Sequence, residues 1–180
     1  AGTTATTHIL KPQIGQLPNG IDLSGSVENE YLCLKLLAAL GVSTAHTEIA
    51  DFWGRRTLII ERFDRRWKTD RRLLRLPQED ICQSLSVPPT QKYQSNGGPG
   101  MRDIAQLLKG SDTPKQDIAT FMRAYILFWM LGATDGHAKN FSIMLGPSGR
   151  FRLTPLYDVL SAQPSLDAGQ IQQKKFKLAM

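Results

Sequence analysis

The stretch YILFWMLGATDGHAKNFSIML, residues 125–145, decides how the chain is read. It opens on one apolar run and closes on another, FSIML. Between them an acid, a histidine, a lysine and an amide fall within six positions, from Asp135 to Asn140. Apolar runs seek burial, and ionisable side chains set between them need partners or a task. On the C-terminal side, FSIML and FRLTPLYDVL read as two strands joined by the turn GPSG, and Asp158 stands just past the second. On the N-terminal side, PKQDIATFMRAYILFWMLG reads as one long helix whose apolar second half is predicted at the centre of a helical core. MRDIAQLLKG reads as a helix before it and PPTQKYQSNGGPG as a loop. RLPQEDICQSLSV is predicted helical, with Pro77 at its start and acids in its first turn.

The first part of the chain has a different texture. THILKP reads as a strand ended by Pro12, and QIGQLPNGIDLSG as turns. SVENEYLCLKLLAALG is a predicted helix with Ser26 as N-cap, Gly41 at its end, and Leu32, Leu36, Leu37 and Leu40 on one buried face. TEIADF and RRTLIIERFD read as strands joined by a tight turn at Trp53-Gly54. The expected class is α+β: a β-rich lobe over 1–65 in the order strand, helix, strand, strand, and a mainly helical lobe over 66–180 that carries the hairpin. Residues 62–76 are expected to connect the two.

Asp135 and Asn140 form D-x-x-x-x-N on a loop, and Asp158 follows eighteen residues later behind a hairpin. That order matches the layout of protein kinases. The chemistry explains the residue types. Asp135 accepts the proton of an attacking hydroxyl. Asn140 offers Mg²⁺ a neutral amide oxygen, and Asp158 a hard anionic one. Phosphoryl transfer also needs a cation on the nucleotide phosphates, and Lys11, at the end of HILK, is the candidate. Glu30 in the next helix is its candidate ion-pair partner. Glu61, Arg62 and Phe63, in ERFD, take the place of the hinge that meets adenine, with Phe63 packing on the ring.

Each feature has a plain competitor. D-x-x-x-x-N arises often by chance, Lys11 alone is an ordinary strand end, and Glu30 alone is an ordinary first-turn acid. The weight lies in five features in the right order. His137 has no second metal ligand at a suitable spacing and reads as a loop-positioning residue, while Lys139 contacts a phosphate or faces solvent. GGPG, residues 97–100, follows no strand and lacks a phosphate-loop spacing. The basic run RFDRRWKTDRRLLR reads as a solvated connector.

The bulk numbers agree with a folded domain. The 180 residues are 41% hydrophobic and 21% charged, with a net charge of +6. That charge suits a polyanion or a phosphorylated ligand. No helix-turn-helix or zinc spacing is present, so DNA contact is expected through a partner. Cys33 and Cys82 lie in apolar helical patterns and read as buried reduced thiols of a cytosolic protein. No segment approaches the roughly 18 apolar residues that span a bilayer. With no initiator Met, the chain is expected to be a piece of a longer protein.

Taken together, IIERFDRRW, RLPQEDICQ, KYQSNGGPG, GATDGHAKNFS and LTPLYDVLSA resemble the HipA family of bacterial toxin kinases, over essentially the whole chain. The resemblance implies a two-lobed, protein-kinase-like fold and a cytoplasmic serine/threonine kinase that uses ATP and Mg²⁺. It implies a small helix-turn-helix antitoxin, HipB, as partner. Its implied target is the translation machinery, notably glutamate–tRNA ligase, with growth arrest and persistence as the outcome. By this resemblance Asp135 is the proton acceptor, and Asn140 and Asp158 bind Mg²⁺. Lys11 contacts the ATP phosphates, Glu61, Arg62 and Phe63 the adenine, and His137, Ala138 and Lys139 complete the ATP-binding set beside Asn140 and Asp158. The competing reading is a non-catalytic kinase-like module that binds an antitoxin–DNA complex.

Overall fold

The structure is a computed structural model that describes residues 6–171 and 177–180. Its elements, in chain order, are β1 (His8–Pro12), β2 (Gly15–Gln16), β3 (Asp22–Leu23), α1 (Ser26–Ala39), β4 (Thr47–Phe52), β5 (Arg55–Glu61), β6 (Arg65–Trp67), β7 (Leu73–Arg75) and β8 (Gln78–Asp80). There follow α2 (Ile81–Ser84), α3 (Met101–Leu108), α4 (Pro114–Leu131), β9 (Ser142–Leu145), β10 (Phe151–Leu153) and α5 (Gln163–Asp167).

Three strands form an antiparallel sheet in the order β1-β5-β4, with Lys11 opposite Leu58. The β4–β5 turn places Trp53 and Gly54 at φ 49° and 77°, the left-handed pair that suits the twist of a tight hairpin. Leu58, Ile60, Val27 and Ala45 form a small core under this sheet. A second sheet, β10-β9-β8, faces a larger core in which Phe141 packs edge-on to Phe121 at 5.0 Å and beside Phe128 at 5.7 Å. Helix α1 serves both cores: Val27 enters the small one, and Cys33, Leu34 and Leu37 the large one. A parallel bridge between Thr44 and Leu156 ties the loop behind α1 to the segment that leads into Asp158.

Several expectations change. Leu32 and Leu40 are 58% and 52% exposed, and Leu36 is exposed too, so they do not form the buried face of α1; the inward stripe is Glu30, Cys33, Leu34 and Leu37. The helix has leucines around most of its girth, so spacing alone does not choose the face. Ser26 is not the N-cap, which is Gly25; its hydroxyl accepts the Ile14 N–H at 3.0 Å instead. Gln78–Asp80 is a strand paired with β9, not a first helical turn. Asp80 then caps the four-residue α2 by accepting from the Gln83 N–H at 2.9 Å. Residues 62–76 hold the β6–β7 ribbon. The apolar half of α4 is not all core, because Ile126, Trp129 and Met130 face outward. Cys33 and Cys82 are free, buried thiols.

Candidate active site

Lys11 is carried on β1 and Glu30 on α1, and the sheet-on-helix packing brings them together. The Lys11 ammonium lies 2.9 and 3.0 Å from the two Glu30 oxygens. It also lies 2.6 Å from Oδ1 of Asp158, which arrives from the far end of the chain. One amine thus joins two carboxylates. Burial lowers the Lys11 pKa, but Glu30 and Asp158 outweigh it and the amine is held above its ordinary range. Burial raises the Glu30 carboxyl, and Lys11 offsets this only in part, so Glu30 stays above its ordinary range.

Asn140 ends a 3-10 turn, Ala138–Asn140, and is buried. Its Oδ1 accepts the His137 N–H at 3.2 Å, which fixes the turn. Its Nδ2 donates to the Asp158 carbonyl at 3.2 Å and reaches Oδ2 at 3.4 Å. Asp158 itself sits at φ 58°, a left-handed backbone in which a non-glycine residue is uncommon and marks a constrained site. Asn140 and Asp158 therefore bring one amide and one carboxylate side by side. The two residue types fit Mg²⁺, which takes one or two protein oxygens and fills its remaining positions with phosphate and water; here the Asn140 amide presents Nδ2 to Asp158 and keeps Oδ1 on the His137 N–H. No group of three or more His, Cys, Asp or Glu able to hold a metal occurs among the described residues.

Asp135 projects from the loop with 68% of its side chain exposed. The Tyr93 hydroxyl donates to its Oδ1 at 2.7 Å. Burial, then this bond to a carboxylate, pushes the Tyr93 phenol up to about 12, so it is a donor throughout the working range of pH. His137 is buried, edge-on to the Tyr93 ring at 5.1 Å, with Nε2 3.8 Å from the Asp135 carboxylate. Burial lowers its pKa against the pull of Asp135, which favours the neutral ring. Gly136 is pressed on Phe128: a Cβ there would stand 2.5 Å from the ring, so the turn that presents Asp135 has no room for a side chain.

Two cavities meet here. The first, about 330 Å³, is lined by Lys11, Glu61, Arg62, Phe63, Lys139 and Asp158, all singled out from the sequence. It lies within the size range of small-molecule sites. The second, about 470 Å³, is lined by Asp135, and Asp158 borders both. His137, Ala138 and Asn140 line neither cavity, and support the loop from within.

Other cleft residues escaped sequence reading. Asp80 pairs with Lys139 at 2.5 Å, so Lys139 is directed into the cleft wall and not freely into solvent. Tyr157 packs 5.9 Å from Phe63, ring to ring, and bonds to Ser142 and to the Lys139 carbonyl. Burial pushes its phenol up to about 12. Its place immediately before Asp158 was the available signal.

Arg62 is committed to Asp64, with two bonds of 2.9 and 2.8 Å, and Arg65 adds a third at 2.5 Å. Burial raises the Asp64 carboxyl, but the two guanidiniums outweigh it and hold it below 3.8. Its contribution to stability is then complete above 3.8 and lost as pH falls through the lower folded-state value. Asp64→Asn is expected to destabilise the protein by about 1.5–3 kcal/mol at neutral pH, the range for bonds to charged groups. In denaturant titrations, that difference from wild type should shrink as pH drops below 3.8. A difference constant across that range would show that Asp64 contributes no pH-linked stability.

The HipA-like C-terminal domain family matches residues 1–180. The chain belongs to that family. This HipA-like domain is 42% identical over 165 residues to the Sinorhizobium fredii protein named "Putative kinase Y4mE", covering 90% of this chain and 38% of that protein. It is 33% identical over 177 residues to the Shewanella oneidensis serine/threonine-protein kinase toxin HipA, covering 89% of this chain and 38% of that protein. Among solved structures it is similar to HipA in the Shewanella oneidensis complex of HipA, HipB and operator DNA, with a TM-score of 0.80, 27% identity, and coverage of 100% of this chain and 42% of that one. The fold is therefore the α+β, kinase-like one, and the HipA-like domain spans about two-fifths of the length of these relatives. No helix among the described residues is long and apolar enough to cross a membrane.

Proposed function

We propose that the HipA-like domain is the phosphoryl-transfer core of an ATP-dependent serine/threonine protein kinase, the toxin of a toxin–antitoxin pair. The observation that carries the reading is the contact chain Glu30–Lys11–Asp158–Asn140, whose Lys11 and Asp158 line the first cavity, while Asp135 lines the second, which Asp158 also borders. The nucleotide lies in the first cavity, with Phe63 and Tyr157 flanking the base and Lys11 on the phosphates. Asn140 and Asp158 hold Mg²⁺, which when bound neutralises charge on the phosphates. Asp135 orients the acceptor hydroxyl and takes its proton. The hydroxyl oxygen forms a bond to the γ-phosphorus, the bond from that phosphorus to the β–γ bridging oxygen breaks, and ADP leaves. Most of the catalytic effect is positioning and electrostatics, as in other phosphoryl transfers.

Family kinship extends the reading to a HipB-like helix-turn-helix antitoxin, to DNA through that antitoxin, and to a substrate in the translation machinery such as glutamate–tRNA ligase, in the bacterial cytoplasm, with growth arrest and persistence as the result. The test is made on the full-length protein. Mg²⁺-ATP should raise its melting temperature, since a ligand that binds only the folded form stabilises it. Labelled γ-phosphate should pass to protein serine or threonine. Stabilisation without transfer to any protein would leave a nucleotide-binding module and remove the kinase.

A further inference from the structure

The second cavity is built unlike the first. Its floor is Phe128 and Ala133, at the end of α4, and its roof is Leu17 and Ile21, from the β2–β3 ribbon. Asp135 and Asp158 stand at its rim, and they are its only charged lining residues among those described. Among the described residues no lysine or arginine lines it, whereas the first cavity has Lys11, Arg62 and Lys139. Among the described residues a phosphate-bearing ligand meets no unpaired cation here, and an acidic side chain would meet the Asp135 carboxylate, Asp158 being already paired with Lys11.

The walls are fixed. Ala162 N–H bonds to the Gly132 carbonyl at 2.9 Å, and Ser161 and Asn29 bond to each other at 2.8 and 2.9 Å. The roof is held by the Ile14 N–H on Ser26, 3.0 Å, and by the Leu17 N–H on the Ile21 carbonyl, 2.8 Å. Asp135 also lines a separate, mainly polar groove with Tyr93, Gln94, Ser95 and Lys177, whose lining runs on through Leu178, Ala179 and Met180. A chain that sets a hydroxyl against Asp135 thus has an apolar pocket on one hand and a polar groove on the other.

We propose that this cavity receives an apolar side chain of the protein substrate, next to the serine or threonine that is phosphorylated. The proposal rests on the kinase reading, and it names the occupant: a protein segment with a leucine-like residue beside its acceptor hydroxyl. A pocket lined with Leu, Ile, Phe and Ala gains by taking such a side chain out of water, and the Asp135 carboxylate selects against an acidic one.

The test uses the full-length protein with Mg²⁺-ATP and matched synthetic peptides. Each carries one serine, flanked on either side in turn by leucine, glycine or glutamate. The leucine peptide, in one of its two flanking positions, is expected to exceed the glycine peptide about 10- to 100-fold in kcat/KM, the scale of a pocket's discrimination by apolar volume. The glutamate peptide should fall below both. Leu17→Glu and Ile21→Glu lie in a half-exposed ribbon, so they spare the core, and they should erase the leucine preference and favour a lysine-flanked peptide. Equal rates for leucine and glycine peptides would overturn the subsite and leave the kinase reading standing. So would transfer to no peptide by a protein that still passes phosphate to a protein serine or threonine, since a pocket open at Asp135 must admit these peptides. Absence of both transfer and nucleotide stabilisation would overturn the kinase reading and the subsite with it.

Discussion

Asp135→Asn is expected to abolish phosphate transfer while leaving the fold and nucleotide binding intact. The substitution keeps the side-chain size and removes one negative charge. Asp135 lines the second cavity and not the first, so ATP affinity should stay within a few-fold. The fold should survive because the carboxylate is 68% exposed and, among the described residues, hydrogen-bonded only to the Tyr93 hydroxyl. Asparagine retains a carbonyl oxygen for that hydroxyl. A catalytic base contributes typically about 10²- to 10⁴-fold in rate. In a loose transition state the proton moves late, and part of that factor is orientation of the hydroxyl. ATP binding, melting temperature and transfer should be measured on one full-length preparation. A variant that still transfers phosphate near the wild-type rate would remove Asp135 from the chemistry. One that fails only because it has unfolded would reassign it to structure.

The second large effect is expected at Asp158. Asp158→Asn keeps the shape and the bond from Asn140, but it removes the anionic oxygen set beside Asn140 and one of the two carboxylates on Lys11. Loss of one preorganised electrostatic group costs about 10²- to 10³-fold in kcat. The signature that separates metal holding from general damage is the Mg²⁺ dependence. Half-saturating Mg²⁺ should rise at least tenfold, by loss of a charged ligand, with KM for the protein substrate little changed. The same Mg²⁺ titration curve in wild type and variant would exclude Asp158 from the metal site. Lys11 retains Glu30 in this variant, at 2.9 Å, so the lysine remains in place to report on the nucleotide.

How much of this was legible depended on whether a signal was local. Strands β1, β4 and β5 carry β-branched runs bounded by turn residues, and α3 and α4 carry long helical patterns, so each was readable in isolation. Gln78–Asp80 was not. Proline followed by acids is a helix-start signal, yet here the strand is selected by its pairing with β9, and the acid caps the next helix. The β6–β7 ribbon is rich in arginine and shows no alternation, because neither of its faces is deeply buried. For the candidate site, residue order alone suggested Lys11, Glu30, Asn140 and Asp158 as a set, and the fold brings these four together. Tyr93 on Asp135 and Asp80 on Lys139 join residues 42 and 59 positions apart, and no periodicity announces such a bond.

The left-handed backbone of Asp158 has a consequence for any survey of variants. A non-glycine residue in that conformation stores about 1–3 kcal/mol of strain. Asp158→Gly releases it. Against that stand about 0.4–1 kcal/mol from the freer unfolded chain, and about 0–1 kcal/mol for an ion pair as exposed as this one with Lys11. These terms nearly cancel, so the protein should accumulate in cells to a normal level after a change that strips its chemistry. A screen for abundance would pass Asp158→Gly, and on the proposed kinase reading a screen for activity would reject it. Most positions that fail the second kind of screen also fail the first, because they fail to fold. Position 158 should fall in the gap between them.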